Sequence, residues 1–208
     1  HQAVAVMLSC NGIVLNYAFV MYNKSISKID IVQSIAKELP VPPVMSYFLC
    51  DCWYVSEKII NAFAQKGFHT IGALKTNRLL YPSGMKKKLS EFGNPKALRA
   101  FISTNAALST QEILSWYVCR WPIEVFFRQC KDKLALDSYQ IRSAQGIKRY
   151  WLLMSLAHFM CAVGTGRFCS FETGYHEICD TIQLEKYRYL FQCAKESNDF
   201  DSFMKFAV

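Results

Sequence analysis

Residues 116–134 read WYVCRWPIEVFFRQCKDKL. At about 100° per residue, one helical face roughly 80° wide would carry a phenol, one carboxylate and three cations, namely Tyr117, Arg120, Glu124, Arg128 and Lys131. A helix stabilised only by surface ion pairs would distribute several acids along its cationic stripe. Because this stripe holds a single acid at its centre, it favours a site that binds a polyanion and a divalent metal together.

Pro122 complicates this helix, because proline removes a backbone donor and usually kinks or starts a helix. The geometry from Glu124 to Lys131 is therefore better defined than the part before it. An exposed basic helix whose cations neutralise their own Glu124 explains the spacing equally well, and the spacing alone leaves both interpretations open. The side away from the charged face is apolar and is expected to be buried, at Leu114, Val118, Val125 and Phe126.

The spacing of Tyr117, Arg120, Glu124 and Lys131 resembles the YREK pattern of a class of DDE transposases from bacterial insertion sequences. The surrounding segments RWPIE and FFRQCKDKL are similar to that class as well. The resemblance extends over about residues 1–166. It implies an α/β fold with an RNase H-like mixed sheet flanked by helices.

The first part of the chain shows a strand pattern and then a helix pattern. Residues 2–9 and 13–22 are apolar, β-rich runs joined by Asn11-Gly12, the strongest two-residue hairpin signal. Apolar residues at helical spacing over residues 29–39 predict a helix that three prolines then stop. Because both runs are nearly continuous in apolar residues, they suggest a sheet that is covered on both faces.

Asp51 directly follows the apolar run of residues 44–50, which is typical of a buried strand, and Ser56 can cap a helix after it. Open α/β sheets place their ligand chemistry at such strand ends. A helix cap or an ordinary turn residue is the alternative for Asp51. The resemblance implies that Asp51 is the second metal-binding aspartate. Trp53 and Tyr54 are expected to wedge the turn against the core rather than contact DNA.

A further strand is predicted over residues 98–104, and Ser109 or Thr110 is expected to cap the helix that leads to Glu124. A helix is also predicted over residues 144–163. Its second half is very apolar but too short to span a membrane, so His158 is expected to be a core histidine. Residues 167–208 are expected to form a helical tail that breaks at Ser197-Asn198-Asp199.

The charge of +8 is unevenly distributed along the chain. Residues 66–100 contain eight lysines and arginines against one acid, which suits a partner with phosphates, although ordinary solvated charge explains it too. The resemblance implies that this region is a DNA-gripping insertion. Asp51 and Glu124 are 73 positions apart, so the insertion is expected to be short. Its lysine run, at Lys86, Lys87 and Lys88, would meet phosphates or remain solvated.

The nine cysteines include no CxxC pair, which favours reduced thiols in a cytoplasm. Cys169, His176 and Cys179, with Cys193 as a fourth ligand, are the nearest approach to a zinc site, but such sites usually show tighter paired spacing. Buried thiols are the preferred interpretation. A bacterial cytoplasmic protein, nucleoid-associated when bound to DNA, is expected.

The resemblance implies a specific chemistry at these positions. Asp51 and Glu124 would be catalytic residues that bind Mg²⁺ or Mn²⁺ through carboxylate oxygens. Tyr117, Arg120 and Lys131 would contact double-stranded DNA at the transposon ends and the target, with Arg128 ranked lower. A homodimer on DNA is a further implication.

The pattern departs from the family in one respect, since DDE enzymes need a first aspartate on the first strand of the core. Before Asp51 the sequence offers only Asp30 and Glu38, both on the helix predicted over residues 29–39. Residues 1–166 are therefore expected to be a partial catalytic domain that lacks its first strand and cannot complete the metal site alone. Two hypotheses follow: a portion of a DNA-cleaving and strand-transferring enzyme, or a non-catalytic DNA-binding remnant.

Overall fold

The computed structural model describes residues 2–94, 97–164, 166–197 and 199–207. Strands and helices alternate in the first two thirds, and helices alone make up the last third. The strands are β1 Gln2–Cys10, β2 Ile13–Tyr22, β3 Ser46–Cys50, β4 Phe68–Leu74, β5 Leu79–Leu80, β6 Lys87–Lys88 and β7 Ala100–Ser103. The helices are α1 Lys28–Glu38, α2 Glu57–Ala64, α3 Thr110–Val118, α4 Pro122–Leu134, α5 Ala144–Val163, α6 Phe171–Glu196 and α7 Phe200–Ala207.

The chain forms two compact units, and each is described by itself. The first comprises His1–Val6 and Ala18–Arg128, and the second comprises Met7–Tyr17 and Gln129–Val208. The division falls within the β1–β2 hairpin and within α4. Both units are therefore built from segments that are distant in sequence.

The main sheet is mixed and belongs to the first unit. Its strand order is β3-β4-β7, with β3 parallel to β4 and β4 antiparallel to β7. Strands β1 and β2 pair separately, and β5 and β6 form a short antiparallel ladder. A mixed sheet with flanking helices confirms the predicted α/β class and is compatible with an RNase H-like transposase domain.

The β1–β2 turn is the one that Asn11-Gly12 predicts. Asn11 has a φ of 50° and Gly12 a φ of 80°, the left-handed values that a two-residue hairpin turn of type I′ requires. The capping signal before α3 in the sequence also corresponds to the start of that helix in the structure. Ser109 caps α3 by accepting from the Glu112 N–H, and the Glu112 carboxylate accepts in return from the Ser109 N–H.

The core of the first unit lies between α1, α2 and the strands. Its buried members are Val4, Val32, Ala36, Leu39, Ile59, Ala62 and Phe63. Phe48 on β3 stacks on Phe63 of α2, with ring centroids 3.6 Å apart. Burial of these apolar side chains is the main force that holds β3 in place, and β3 in turn positions Asp51.

In the second unit, α5 and α6 approach closely at Gly174. A Cβ at this position would lie 1.8 Å from the carbonyl oxygen of Cys161. His158 of α5 is buried, its Nε2 lies 3.0 Å from the Gln129 Oε1, and its ring stacks on Phe171 at 4.8 Å. Burial lowers the pKa of His158 to about 4, so the ring is neutral near pH 7, as suits a core histidine.

The tail is helical on both sides of its predicted break. Helix α6 ends at Glu196, and α7 begins at Phe200. Ser197 takes an extended conformation at the end of α6, and Asn198 of the predicted break lies outside the described residues. Among the residues that the structure describes, no helix is long and apolar enough to cross a membrane.

Candidate functional site

Asp51 lies at the carboxyl end of β3, where the sequence places it, and organises a tight turn. Its Oδ1 accepts a hydrogen bond from the Trp53 N–H at 2.9 Å, and its carbonyl accepts one from the Tyr54 N–H at 3.2 Å. These bonds fix the backbone of residues 51–54 at the strand end. They are also the bonds expected of an ordinary turn aspartate, so the geometry alone does not assign chemistry to Asp51.

Close packing fixes the base of this turn. Cys50 is buried and pairs in register with Gly72 of β4. A Cβ on Gly72 would lie 2.4 Å from Val55 Cγ2, a distance that native packing excludes, and 3.0 Å from Cys50 Sγ, a tight contact. Glycine therefore allows the segment after β3 to lie directly against β4.

The two aromatic residues of the turn, Trp53 and Tyr54, differ in how far they are buried. Tyr54 is half-buried against the core of the first unit, and its pKa is raised by burial and then by Asp51. Trp53 is 72% exposed, and Lys75 Nζ lies 3.9 Å from its ring centre. The expected wedge is confirmed for Tyr54 and wrong for Trp53, because Trp53 is at the outer corner of the turn whereas Tyr54 re-enters the core.

The predicted helix around Glu124 is interrupted. Helix α3 ends at Val118 and α4 begins at Pro122. The residues between them bond to the third residue before them: Cys119 to Trp116 at 3.0 Å, Arg120 to Tyr117 at 3.1 Å and Trp121 to Val118 at 2.9 Å. Pro122 has no N–H to continue an α-helical ladder, so the helical angles do not relate Tyr117 and Arg120 to Glu124.

The burial predicted for the side away from the charged face is only partly observed. Phe126 is 1% exposed, and Val125 is half-buried. Val118 is 69% exposed, and Leu114 is exposed as well. The prediction is wrong for these last two residues, because the turn after Val118 separates the buried side of α4 from the side of α3 on which they lie.

Aromatic contacts attach α3 to the main sheet. Trp116 packs on Tyr47 of β3 with ring centroids 4.8 Å apart, and Tyr117 packs on Phe101 of β7 at 4.7 Å. The Arg120 guanidinium lies 5.6 Å from the Tyr117 ring, within range of a cation–π contact. The Tyr117 ring therefore contacts both Phe101 and the Arg120 guanidinium rather than being surrounded by solvent.

Arg120 is paired with one of the two candidate carboxylates, Glu124. Its Nη1 lies 3.3 Å from Glu124 Oε1, an ion pair in which the arginine side chain is 24% exposed and the glutamate side chain 51%. Burial raises the pKa of Cys50 to about 12; the Asp51 charge adds to this, and the Arg120 charge opposes it. The guanidinium charge therefore acts on the pKa of Cys50, the last residue of β3.

Arg120 also retains an unused donor. Its Nε is buried and has no hydrogen-bond partner among the described residues. A buried donor without an acceptor costs stability, and an anionic oxygen is the acceptor that a guanidinium binds best. The ion pair with Glu124 is what the basic-helix interpretation predicts. The unpaired Nε is an additional feature that this interpretation does not explain.

Arg128 and Lys131 are both exposed residues of α4. Arg128 belongs to the first unit and Lys131 to the second. In the basic region, Lys87 and Lys88 form β6, and Lys86 precedes them with its side chain exposed. The Arg78 guanidinium donates to the Val55 carbonyl and so ties the start of this region to the turn after β3.

Asp51 and Glu124 supply oxygen ligands of the kind that Mg²⁺ prefers. In the described ranges, no group of three or more Asp, Glu, His or Cys side chains is placed to hold a metal ion. Ser27 caps α1, and the Asp30 Oδ2 accepts from the Ser27 hydroxyl at 2.7 Å. The described carboxylates are therefore the type of ligand that a divalent metal prefers, but too few of them lie together to hold one. No reaction step is assigned to a metal for this reason.

Residues 2–160 match the family model described as the Transposase DDE domain. The match includes β1 to β7, α1 to α4 and most of α5. No curated protein and no solved structure gives a significant match.

Proposed function

The chain belongs to the DDE transposase family, and we propose that it contributes the DNA-contacting, glutamate-bearing part of a transposase of the YREK class from a bacterial insertion sequence. Membership indicates a role in DNA transposition. The assignment to the YREK class is supported by the spacing of four residues, Tyr117, Arg120, Glu124 and Lys131. Its place of action would be the bacterial cytoplasm, on double-stranded DNA at transposon ends and target, as a homodimer.

The observation that carries the proposal is the half-satisfied guanidinium of Arg120. It is held between the Tyr117 ring and Glu124 and keeps a buried Nε donor without a partner among the described residues. The Arg120 side chain is 24% exposed, and a DNA phosphate would bind the guanidinium from this exposed side. Arginine suits the role because its planar fork binds phosphate oxygens through paired N–H groups. Lys131 and, less directly, Arg128 would add point charges along α4.

Asp51 and Glu124 are proposed as two of the carboxylate ligands for Mg²⁺ or Mn²⁺. The third carboxylate that the family chemistry implies is not beside them among the described residues. The proposed architecture is an RNase H-like domain over residues 1–166, a short basic insertion over residues 66–100, and a helical tail over residues 167–208.

The shortfall in carboxylates favours a second candidate, a DNA-binding remnant that does not cut. A nicking assay on supercoiled plasmid with Mg²⁺ tests whether the chain alone completes a metal site. We expect DNA binding without a metal-dependent nick, and a nick that is lost in Glu124→Gln would contradict both this expectation and the remnant.

The DNA-binding claim is tested by fluorescence anisotropy with a labelled duplex and the purified chain. Arg120→Ala should weaken binding about tenfold to a hundredfold, the effect of losing charge-assisted hydrogen bonds. Arg188→Ala is the matched control, because Arg188 forms a helical ion pair with Glu185 at 2.5 Å on α6. It should change the affinity less than about twofold. Equal losses in the two variants, or no DNA binding by the wild type, would contradict the proposal.

A further inference from the structure

An exposed aromatic side chain and a cation meet directly beside Asp51. Trp53 is 72% exposed, yet Lys75 Nζ lies only 3.9 Å from the centre of its ring. A single exposed tryptophan is ordinary, and Trp116 and Trp121 are exposed as well. Trp53 is distinguished by the lysine over its ring and by its position two residues after a candidate catalytic aspartate.

The pair is held by the fold. Strands β3 and β4 run parallel with Cys50 opposite Gly72, and both Trp53 and Lys75 come three residues after these paired positions. The Asp51 carboxylate holds the Trp53 N–H at 2.9 Å. The contact therefore joins the ends of two neighbouring strands and is set by sheet register rather than by chance proximity of flexible side chains.

The two side chains offer complementary chemistry to one kind of ligand. The ammonium covers one side of the indole, and the exposure of the residue leaves an open aromatic surface. Aromatic side chains bind nucleobases by stacking, and neighbouring cations bind the phosphates of the same strand. Inside a duplex both faces of each interior base are already stacked, whereas an unpaired base presents a free face.

We propose that Trp53 and Lys75 form a binding site for an unpaired nucleotide of DNA, with the base stacked on the indole and its phosphate on the ammonium. The site would hold a frayed or single-stranded end next to Asp51. The inference rests on the proposed function in one respect, namely that the chain binds DNA.

A second aromatic–lysine pair in the chain provides the matched control. Phe191 is also exposed, and Lys195 Nζ lies 4.6 Å from its ring centre. These two residues are four positions apart on α6, so ordinary helical spacing explains their contact. No candidate carboxylate of the site is on that helix, and Phe191→Ala should therefore leave DNA binding unchanged.

The experiment compares two labelled DNAs of equal duplex length, one blunt and one with a short single-stranded 3′ overhang. The wild type should bind the overhang DNA more tightly. Trp53→Ala should weaken overhang binding about fivefold to a hundredfold, the usual effect of losing one stacked base, and should leave blunt-duplex binding unchanged. Trp53→Phe should restore much of the preference, which excludes a simple folding defect.

Three results would overturn the inference. If Trp53→Ala binds both DNAs as the wild type does, or loses affinity equally for both, Trp53 does not read an unpaired base although the proposed function stands. If the wild type binds neither DNA, the proposed function fails and this inference fails with it. Loss of overhang binding in Phe191→Ala as large as in Trp53→Ala would also contradict it.

Discussion

The turn after β3 and the junction between α3 and α4 each carry one candidate carboxylate, but they are built differently. Asp51 is fixed from beneath, by the buried Cys50, the glycine at position 72 and two hydrogen bonds within the turn. Glu124 lies half-exposed after a break between two helices and is paired with Arg120. One carboxylate is positioned by the core, whereas the other is positioned by a charge that is itself incompletely satisfied.

This difference indicates which part of the site is rigid before DNA binds. A carboxylate supported by close packing keeps its position with or without a ligand. An ion pair with exposed partners contributes little to stability and can rearrange when a phosphate competes for the guanidinium. We therefore expect substitutions near β3 to affect folding and substitutions near α4 to affect binding.

The largest effect on folding is expected for Gly72→Ala. The new methyl group would lie 2.4 Å from Val55 Cγ2, and overpacking of this kind lowers the free energy of unfolding by about 1–3 kcal/mol. Gly93→Ala is the control, since its nearest neighbour would be Leu98 Cδ1 at 3.7 Å, an ordinary contact. Urea denaturation of both variants measures the difference, and equal stabilities would show that the strand end is not tightly packed.

A smaller effect is expected at the start of α3. Ser109→Ala removes the cap that binds the Glu112 N–H and should lower the free energy of unfolding by about 1 kcal/mol. Hydrogen bonds from Ser109 lower the pKa of Glu112, so this cap is intact above the usual pKa range of glutamate and weakens as the pH falls below it. Thermal unfolding at neutral and acidic pH should show a smaller acid-induced loss in Ser109→Ala than in the wild type.

The next effect on stability is expected at Asp51, which should contribute more than Glu124. Asp51→Ala removes the acceptor for the Trp53 N–H and should lower the free energy of unfolding by about 0.5–1.5 kcal/mol. Asp51→Asn keeps an oxygen acceptor and should be nearly neutral. If both substitutions at Asp51 are equally harmful, the negative charge rather than the hydrogen bond stabilises the turn.

The smallest effect on stability is expected for Glu124→Gln, at most about 0.5 kcal/mol, because an exposed ion pair four residues apart contributes no more than that. The same substitution frees the Arg120 guanidinium and should not weaken DNA binding. A large loss of stability in chemical denaturation would mean that Glu124 holds the α3–α4 junction together, and the contrast with Asp51 would disappear.

The sequence predicts the parts of this molecule that depend on local chemistry. Asn11-Gly12 requires a left-handed turn, Ser109 and Glu112 form a capping box, and the apolar run before Asp51 has the composition of a buried strand. Each signal is contained within a few residues. The position of Asp51 at a strand end could therefore be read directly from the chain.

The remaining features depend on contacts that local pattern does not contain. Pro122 predicts that the helix is interrupted. It does not predict the tighter turn over the three residues before it, nor the exposure of Val118. The meeting of Trp53 with Lys75 follows from the register of two strands. The unused Nε of Arg120 results from burial by neighbouring elements. The roles proposed for Tyr117, Arg128 and Lys131, and the domain boundary at residue 166, remain predictions.

The central claim is that Arg120 binds a DNA phosphate, and the salt dependence of DNA binding tests it most directly. Each phosphate contact contributes about one unit to the slope of log affinity against log salt concentration. We predict that Arg120→Ala reduces the magnitude of this slope by about one unit, while Arg188→Ala leaves it unchanged. An unchanged slope in Arg120→Ala would contradict the account, because it would show that the guanidinium neutralises no phosphate.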